Sequence, residues 1–262
     1  MMEIRLERLG GEDAGIVLLG LDRPAAKNAL GHQLLSEFRE ALSILGSDAG
    51  VRVVVVHSLV PGIFCAGADL KERAAMSPSE AATFVQSIRT AFSELQDLPM
   101  PTIAAIEGGA FGGGLELALA ADLRVAGSEA MMGLVETALA IIPGAGGTQR
   151  LPRLIGISRA KELIFTARRI GAEEAGRLGL VDRLAAPGEA LPQALMLARE
   201  ILPNGPAALR LAKQAVNRGS DLGLTSGLAF EQVCYAQVLS TQDRLEGLAA
   251  FREKRNPRFR GE

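Results

Sequence analysis

The segment Val51-Arg52-Val53-Val54-Val55-Val56 constrains the fold more than any other part of the chain. It is β-branched apart from one arginine and shows no alternation of polar with apolar residues. A strand with one wet face alternates; a strand that is apolar at nearly every position is buried on both faces. Two further short runs, Pro101-Thr102-Ile103-Ala104-Ala105-Ile106 and Leu123-Arg124-Val125-Ala126, have the same character. Between these runs the chain changes period. Leu34, Leu35, Phe38, Leu42 and Leu45 recur at helical spacing. Ser77-Pro78-Ser79-Glu80 is a capping box with proline at the first helical position, which predicts a helix running from there towards Leu98. Strands alternating with helices place the chain in the α/β class.

The two ends add detail. Residues 3–7 alternate in a strand-like way, and Gly10-Gly11-Glu12-Asp13 turns them back onto 15–19 as a hairpin partner, closed by Asp22-Arg23-Pro24. From Ser158 onward, segments 160–167, 187–202, 206–218, 226–239 and 241–255 read as helices with little strand signal. No polar linker separates them from the rest. The expected organisation is one continuous domain, with a core over 1–195 and a helical region over 196–262.

Composition narrows the function. A formal net charge of −2 gives no reason to expect a polyanion partner. Cys65 and Cys234 lie far apart without metal-ligand spacing, which suits free thiols in a reducing compartment. No apolar run reaches the roughly 18 residues of a membrane span. Met1-Met2-Glu3-Ile4-Arg5 has neither the apolar core of a signal peptide nor the Arg/Ser-rich pattern of a transit peptide. The expectation is a cytoplasmic protein if bacterial, or a processed mitochondrial-matrix form if eukaryotic.

The chemistry concentrates in Gly108-Gly109-Ala110-Phe111-Gly112-Gly113-Gly114-Leu115-Glu116, between an apolar strand and an apolar helix. Glycines there let the backbone turn and approach another molecule closely. The unpaired N–H groups of the first helical turn face whatever occupies that space, which is the arrangement of an oxyanion hole. A tight strand-to-helix connection would explain the glycines alone. It would not explain Glu116, the one charge between Gly108 and Ala121. A carboxylate near a helix N-terminus gains up to about 1 kcal/mol from the helix dipole, but burying it unpaired costs several times more. A desolvated acid beside backbone donors is a functional candidate. Glu136 is likewise the single charge in Met131-Met132-Gly133-Leu134-Val135-Glu136-Thr137-Ala138-Leu139-Ala140-Ile141-Ile142. Two isolated acids in apolar surroundings suggest a shared site where water is activated. A third segment, Phe64-Cys65-Ala66-Gly67-Ala68-Asp69-Leu70-Lys71, places small residues ahead of a helix opening at Asp69; by itself it reads as a plain helix cap.

Other chemistries fail on inventory. Pro143-Gly144-Ala145-Gly146-Gly147-Thr148-Gln149-Arg150 superficially matches a dinucleotide fingerprint, but its third glycine is missing and a poor strand precedes it. His32 and His57, the only histidines, are not accompanied by a Gly-x-Ser-x-Gly elbow. No phosphate-binding Gly-x-x-x-x-Gly-Lys and no zinc spacing occurs.

Taken in order, Ala66-Gly67-Ala68-Asp69, Gly112-Gly113-Gly114-Leu115-Glu116 and Glu136 ahead of the 143–151 turn resemble the crotonase (enoyl-CoA hydratase/isomerase) superfamily. The resemblance runs from Asp22-Arg23-Pro24 and Asn28-Ala29-Leu30 to Asp243-Arg244-Leu245-Glu246-Gly247 and Phe251-Arg252-Glu253-Lys254-Arg255, nearly the whole chain. The wording of 64–73 and 132–137 is most similar to the methylglutaconyl-CoA hydratase branch, whose members also bind AU-rich RNA. The resemblance implies a ββα spiral core with a C-terminal helical trimerisation region, in trimers or dimers of trimers. It implies that the Ala68 and Gly113 N–H groups bind the thioester oxygen, each donor being worth about 2.7–4 kcal/mol of transition-state stabilisation. Glu116 would activate water for attack at C3, and Glu136 would protonate C2, each proton transfer being worth about 10²–10⁴ in rate. Ala66, Ala68, Asp69, Leu70, Lys71 and Gly113 would bind the substrate's CoA, with Phe251 and Lys254 reaching it from an adjoining subunit. CoA belongs to the substrate, and no metal or redox cofactor is implied. For a substrate with a distal carboxylate, Arg73 and Lys71 are the candidate cations.

One departure concerns RNA. Where the RNA-binding branch carries a lysine-rich stretch, residues 35–50 hold one arginine and no lysine, which removes most of the electrostatic driving force. Keeping both acids favours hydration over the isomerases, dehalogenases and decarboxylases of the superfamily. The alternative is a hydratase homologue whose main role is nucleic-acid binding.

Overall fold

The computed structural model describes residues 2–262; Met1 lies outside it. Strand β1 (Ile4–Arg8) and strand β2 (Ile16–Leu21) form the expected antiparallel hairpin, pairing Leu6 with Leu19. Helix α1 (His32–Ser47) follows, then β3 (Val53–Ser58), β4 (Ile63–Cys65), α2 (Leu70–Ala74) and α3 (Pro78–Gln96). The next unit is β5 (Thr102–Ile106), β6 (Gly109–Phe111) and α4 (Gly113–Ala120). A third unit starts with β7 (Leu123–Gly127) and β8 (Met131–Gly133) and leads to α5 (Gly147–Ile155) and α6 (Ile157–Thr166). Then come β9 (Ile170–Gly171), α7 (Ala172–Leu178), β10 (Arg183–Ala185), α8 (Ala190–Ile201), α9 (Pro206–Gly219), α10 (Leu224–Val238) and α11 (Gln242–Glu253).

The strands divide between two sheets, one ordered β1-β2-β3-β5-β7-β10 and the other β4-β6-β8-β9. In each unit the first strand (β3, β5, β7) joins the large sheet and the second (β4, β6, β8) the small one, before a helix returns the chain. That is the ββα spiral expected from the resemblance. Neighbouring strands within it run parallel, as crossover connections require.

The apolar run of β3 is buried on both faces, and for a visible reason. Val54 and Val56 pack into a core with Phe38, Phe92 and Leu95 from α1 and α3. Val53 and Val55 point the other way, against Ala194, Leu197 and Ala198 of α8. Val51 and Arg52 fall before the strand, because pairing with β2 begins at Ile16 opposite Val53. The Ser77–Glu80 capping box forms with both reciprocal bonds and starts α3. Five short strands were not signalled by sequence: β4, β6, β8, β9 and β10. Each has two or three residues, too few for either periodicity to register.

Candidate active site

Two loops meet at the N-terminus of α4. The first is held by a parallel bridge between Leu30 and Ala68. That bridge uses the Gly67 carbonyl, which accepts from Leu30 N–H, and the Asp69 N–H, which donates to the Leu30 carbonyl. The Ala68 N–H itself therefore points away from its partner strand and donates to nothing among the described residues. The second is the turn into α4. Gly112 adopts φ +52°, a conformation that favours glycine, and donates its N–H to Gly133. Gly113, the first helical residue, has no backbone partner for its N–H, as helix geometry dictates. A Cβ built on Gly113 would lie 3.5 Å from the Ala68 nitrogen, so the two unpaired donors open into one space. Gly67 makes the approach possible: its φ is +98°, and a Cβ there would lie 2.7 Å from the Phe111 carbonyl oxygen.

Both acids reach this space. Glu116 is 3% exposed, and its Oε1 accepts from the N–H groups of Ala145 (2.8 Å) and Gly147 (2.7 Å). Burial pushes its carboxyl above the ordinary range, while those two donors and the charges of Arg150 and Arg89 pull it back. Glu136 sits on a short 3-10 turn, with Oε1 3.2 Å from where a Gly112 Cβ would be. Its Oε2 is buried without a hydrogen-bond partner. Burial, and next the charge of Glu116, push the Glu136 carboxyl up to about 7. An acid with that environment holds a proton near neutrality, beside one whose donors favour the carboxylate.

The space is part of a cavity of about 1100 Å³ lined by Ala66, Gly67, Ala68, Leu70, Gly112, Gly113, Glu116 and Glu136. One wall is apolar, with Val85, Ile88, Leu139, Ile141 and Ile142. Four cations border it: Lys27, Arg73, Arg89 and Arg169, the last stacked 4.5 Å over the Phe111 ring. The structure thus brings together Glu116, Glu136, Ala68, Gly113, Ala66 and Leu70. It does not bring in Asp69, Lys71, Phe251 or Lys254. Asp69 is a buried helix cap, accepting from the Lys71 and Glu72 N–H groups and paired with Arg23 at 2.9 Å. Lys71 is exposed on α2 and does not line the cavity, whereas Arg73 does. Phe251 is 86% exposed on α11, and Lys254 caps the same helix. Lys27, Arg89, Arg150 and Arg169 went unread in the sequence. Lys27 and Asn28 both have positive φ and hold residues 64–66, at the end of β4, through the Lys27 carbonyl and the Asn28 side chain.

A sequence profile of the enoyl-CoA hydratase/isomerase family matches residues 11–262. Human methylglutaconyl-CoA hydratase, mitochondrial, is 56% identical over 264 residues, spanning 99% of this chain and 78% of its own length. Probable enoyl-CoA hydratase 2, mitochondrial, of Arabidopsis thaliana is 54% identical over 98% of this chain and 86% of its own. The crystal structure of an enoyl-CoA hydratase from Bacillus anthracis, 47% identical, superposes with a TM-score of 0.96 over 99% of this chain and 100% of that one.

Proposed function

The chain belongs to the enoyl-CoA hydratase/isomerase family, the crotonases, and we propose that it adds water across the 2,3 double bond of a short or branched 2-enoyl-CoA. It is a hydro-lyase by the company of its relatives. The observation that carries the chemistry is the meeting of two unpaired N–H groups, on Ala68 and Gly113, with the buried Glu116 and the half-buried Glu136 in one cavity. The N–H pair binds the thioester oxygen and takes up the negative charge that develops on it. Glu116, ionised, draws a proton from water, whose oxygen bonds to C3 while the double-bond electrons move towards the thioester oxygen. Glu136, protonated, gives its proton to C2 as the enolate collapses. Every proton and electron pair in that sequence comes from water, the substrate or the two carboxyls, so the scheme calls for no metal or redox cofactor. CoA enters and leaves as part of the substrate.

Following crotonyl-CoA by loss of its conjugated enoyl absorbance tests the proposal. Glu116→Gln and Glu136→Gln are each expected to lower the rate by about 10²–10⁴; an intact rate in both variants would refute the two-acid scheme. For the acyl group, the human relative's name points to 3-methylglutaconyl-CoA, and Arg73 is the half-buried cation on the cavity wall for its distal carboxylate. Arg73→Met is expected to lower kcat/KM for that substrate by about 10–10²-fold, the worth of a hydrogen bond to a charged group, and to spare crotonyl-CoA.

Residues 196–262 are proposed to form the trimer or dimer-of-trimers interface. Leu224, Leu228, Tyr235, Leu248 and Phe251 present apolar surface there, and Phe251 and Lys254 would reach the CoA of a neighbour. A mass by light scattering equal to one 27.5 kDa chain would overturn this. The relatives named above from human and Arabidopsis are mitochondrial, and no helix among the described residues is long and apolar enough to cross a membrane. The proposed compartment is the mitochondrial matrix for a eukaryotic source and the cytoplasm for a bacterial one.

A further inference from the structure

We propose that Arg89 and Arg150 are positioning residues that clamp the loop 143–147 by its carbonyls, so that its N–H groups hold Glu116 ionised and aimed at the reacting water. The inference rests on the assignment of Glu116 as the base. Its basis is which atoms of the loop are gripped from each side. On the inner side, the Ala145 and Gly147 N–H groups donate to one oxygen of Glu116. On the outer side, Arg89 of α3 donates from Nε (3.0 Å) and Nη2 (2.8 Å) to the Gly144 carbonyl. Gly144 C=O and Ala145 N–H belong to one planar peptide unit. Holding its oxygen fixes the direction of its N–H, and a cation on the oxygen strengthens the donor.

Arg150 of α5 grips the next peptide, donating from Nη1 to the Ala145 carbonyl (2.9 Å), and is itself held by Gln96 Oε1 (2.8 Å). The backbone is shaped for this contact. Gly146 has φ +115°, and a Cβ there would overlap the Arg150 guanidinium. Both charges also pull the Glu116 carboxyl down against burial. Without the clamp the 144–145 peptide can turn its N–H away, and Glu116 then loses a donor and takes up a proton more readily.

The experiment is the pH profile of crotonyl-CoA hydration for Arg89→Met, Arg150→Met and the corresponding lysine variants, with Glu116→Gln as reference. Both methionine variants are expected to lose about 10–10²-fold in kcat, as misplacement of a catalytic group does. KM should change little, and the acidic limb of kcat/KM should move to higher pH. Lysine at either position should return the limb part of the way. Arg89 is exposed, so its variant carries the test even where Arg150→Met fails to fold. An unchanged acidic limb in folded Arg89→Met, or a loss confined to KM, overturns the clamp. Full activity in Glu116→Gln overturns instead the assignment beneath it.

Discussion

Glu136→Gln exchanges one carboxyl oxygen for an amide at a position where burial, and then the charge of Glu116, push the acid from its ordinary 4.5 up to about 7. Such a shift is a statement about stability as well as chemistry. Below pH 4.5 the carboxyl is protonated in folded and unfolded chains alike, and nothing is lost. As pH rises from there towards 7 the unfolded chain ionises while the folded one keeps its proton, so stability falls; above 7 the folded protein carries the full cost. At about 1.4 kcal/mol per pKa unit the shift corresponds to ~3 kcal/mol. Solvent screening of this half-buried side chain brings the figure to ~2 kcal/mol. Gln has no charge to desolvate. The variant is therefore expected to be more stable than the parent by ~2 kcal/mol at pH 8, with the gap closing towards pH 5, while turnover collapses. Urea unfolding followed by circular dichroism at pH 5, 6, 7 and 8, at one protein concentration, measures it as a shift in midpoint at constant slope. A variant no more stable than the parent at pH 8, or a gap that does not change with pH, would refute the reasoning.

Three further outcomes follow from particular residues. Cys65 is buried, donates to the Asn28 carbonyl at 3.0 Å, and its thiol is pushed up to about 12 by burial; with Cys234 also buried, a thiol reagent at pH 8 should modify neither until the protein unfolds, and rapid native labelling of Cys65 would contradict this. Gly114→Ala should cost ~2–3 kcal/mol by overpacking, since its Cβ would overlap the Cys65 carbonyl oxygen; an unchanged urea midpoint would count against the packing described. On α1 the one arginine, Arg39, is already bound bidentately to Glu94, so submicromolar, salt-sensitive binding to an AU-rich oligonucleotide is not expected, and a gel-shift titration checks it.

What was legible in the sequence, and what was not, divides along range. The both-face burial of β3 was legible because six consecutive residues declare it, and α8 and α3 duly cover its two sides. Glu116 and Glu136 stood out because each is a lone charge in an apolar run, a local contrast that needs no partner to be seen. The Ala68 and Gly113 donors were named through family resemblance; what sequence could not give is that Leu30 pairs around Ala68 and leaves its N–H free. The resemblance offers Asp69 as a CoA ligand, and its position before a helix favours the cap that its side chain forms. Arg89 and Arg150 were invisible for another reason. Each acts on backbone carbonyls, which have no residue type, and Arg89 does so across 55 residues of chain.

The two acids are the same residue type in the same cavity, so something other than their chemistry must tell them apart. Two carboxylates whose charges act on each other do not both ionise cheaply. The proton goes to whichever is less well served as an anion. Glu116 has two backbone donors on one oxygen and two arginines nearby. Glu136 has a buried oxygen with no donor at all, and of the nearby arginines only Arg73 acts on it. The donors therefore assign the charge to Glu116 and the proton to Glu136, which is the division that hydration needs: a base facing water and an acid facing C2. Satisfying Glu136 Oε2 with a donor would make the site more stable but favour the carboxylate, leaving Glu136 without the proton that C2 needs. The unpaired oxygen is thus the part of the cavity where stability is given up for the reaction.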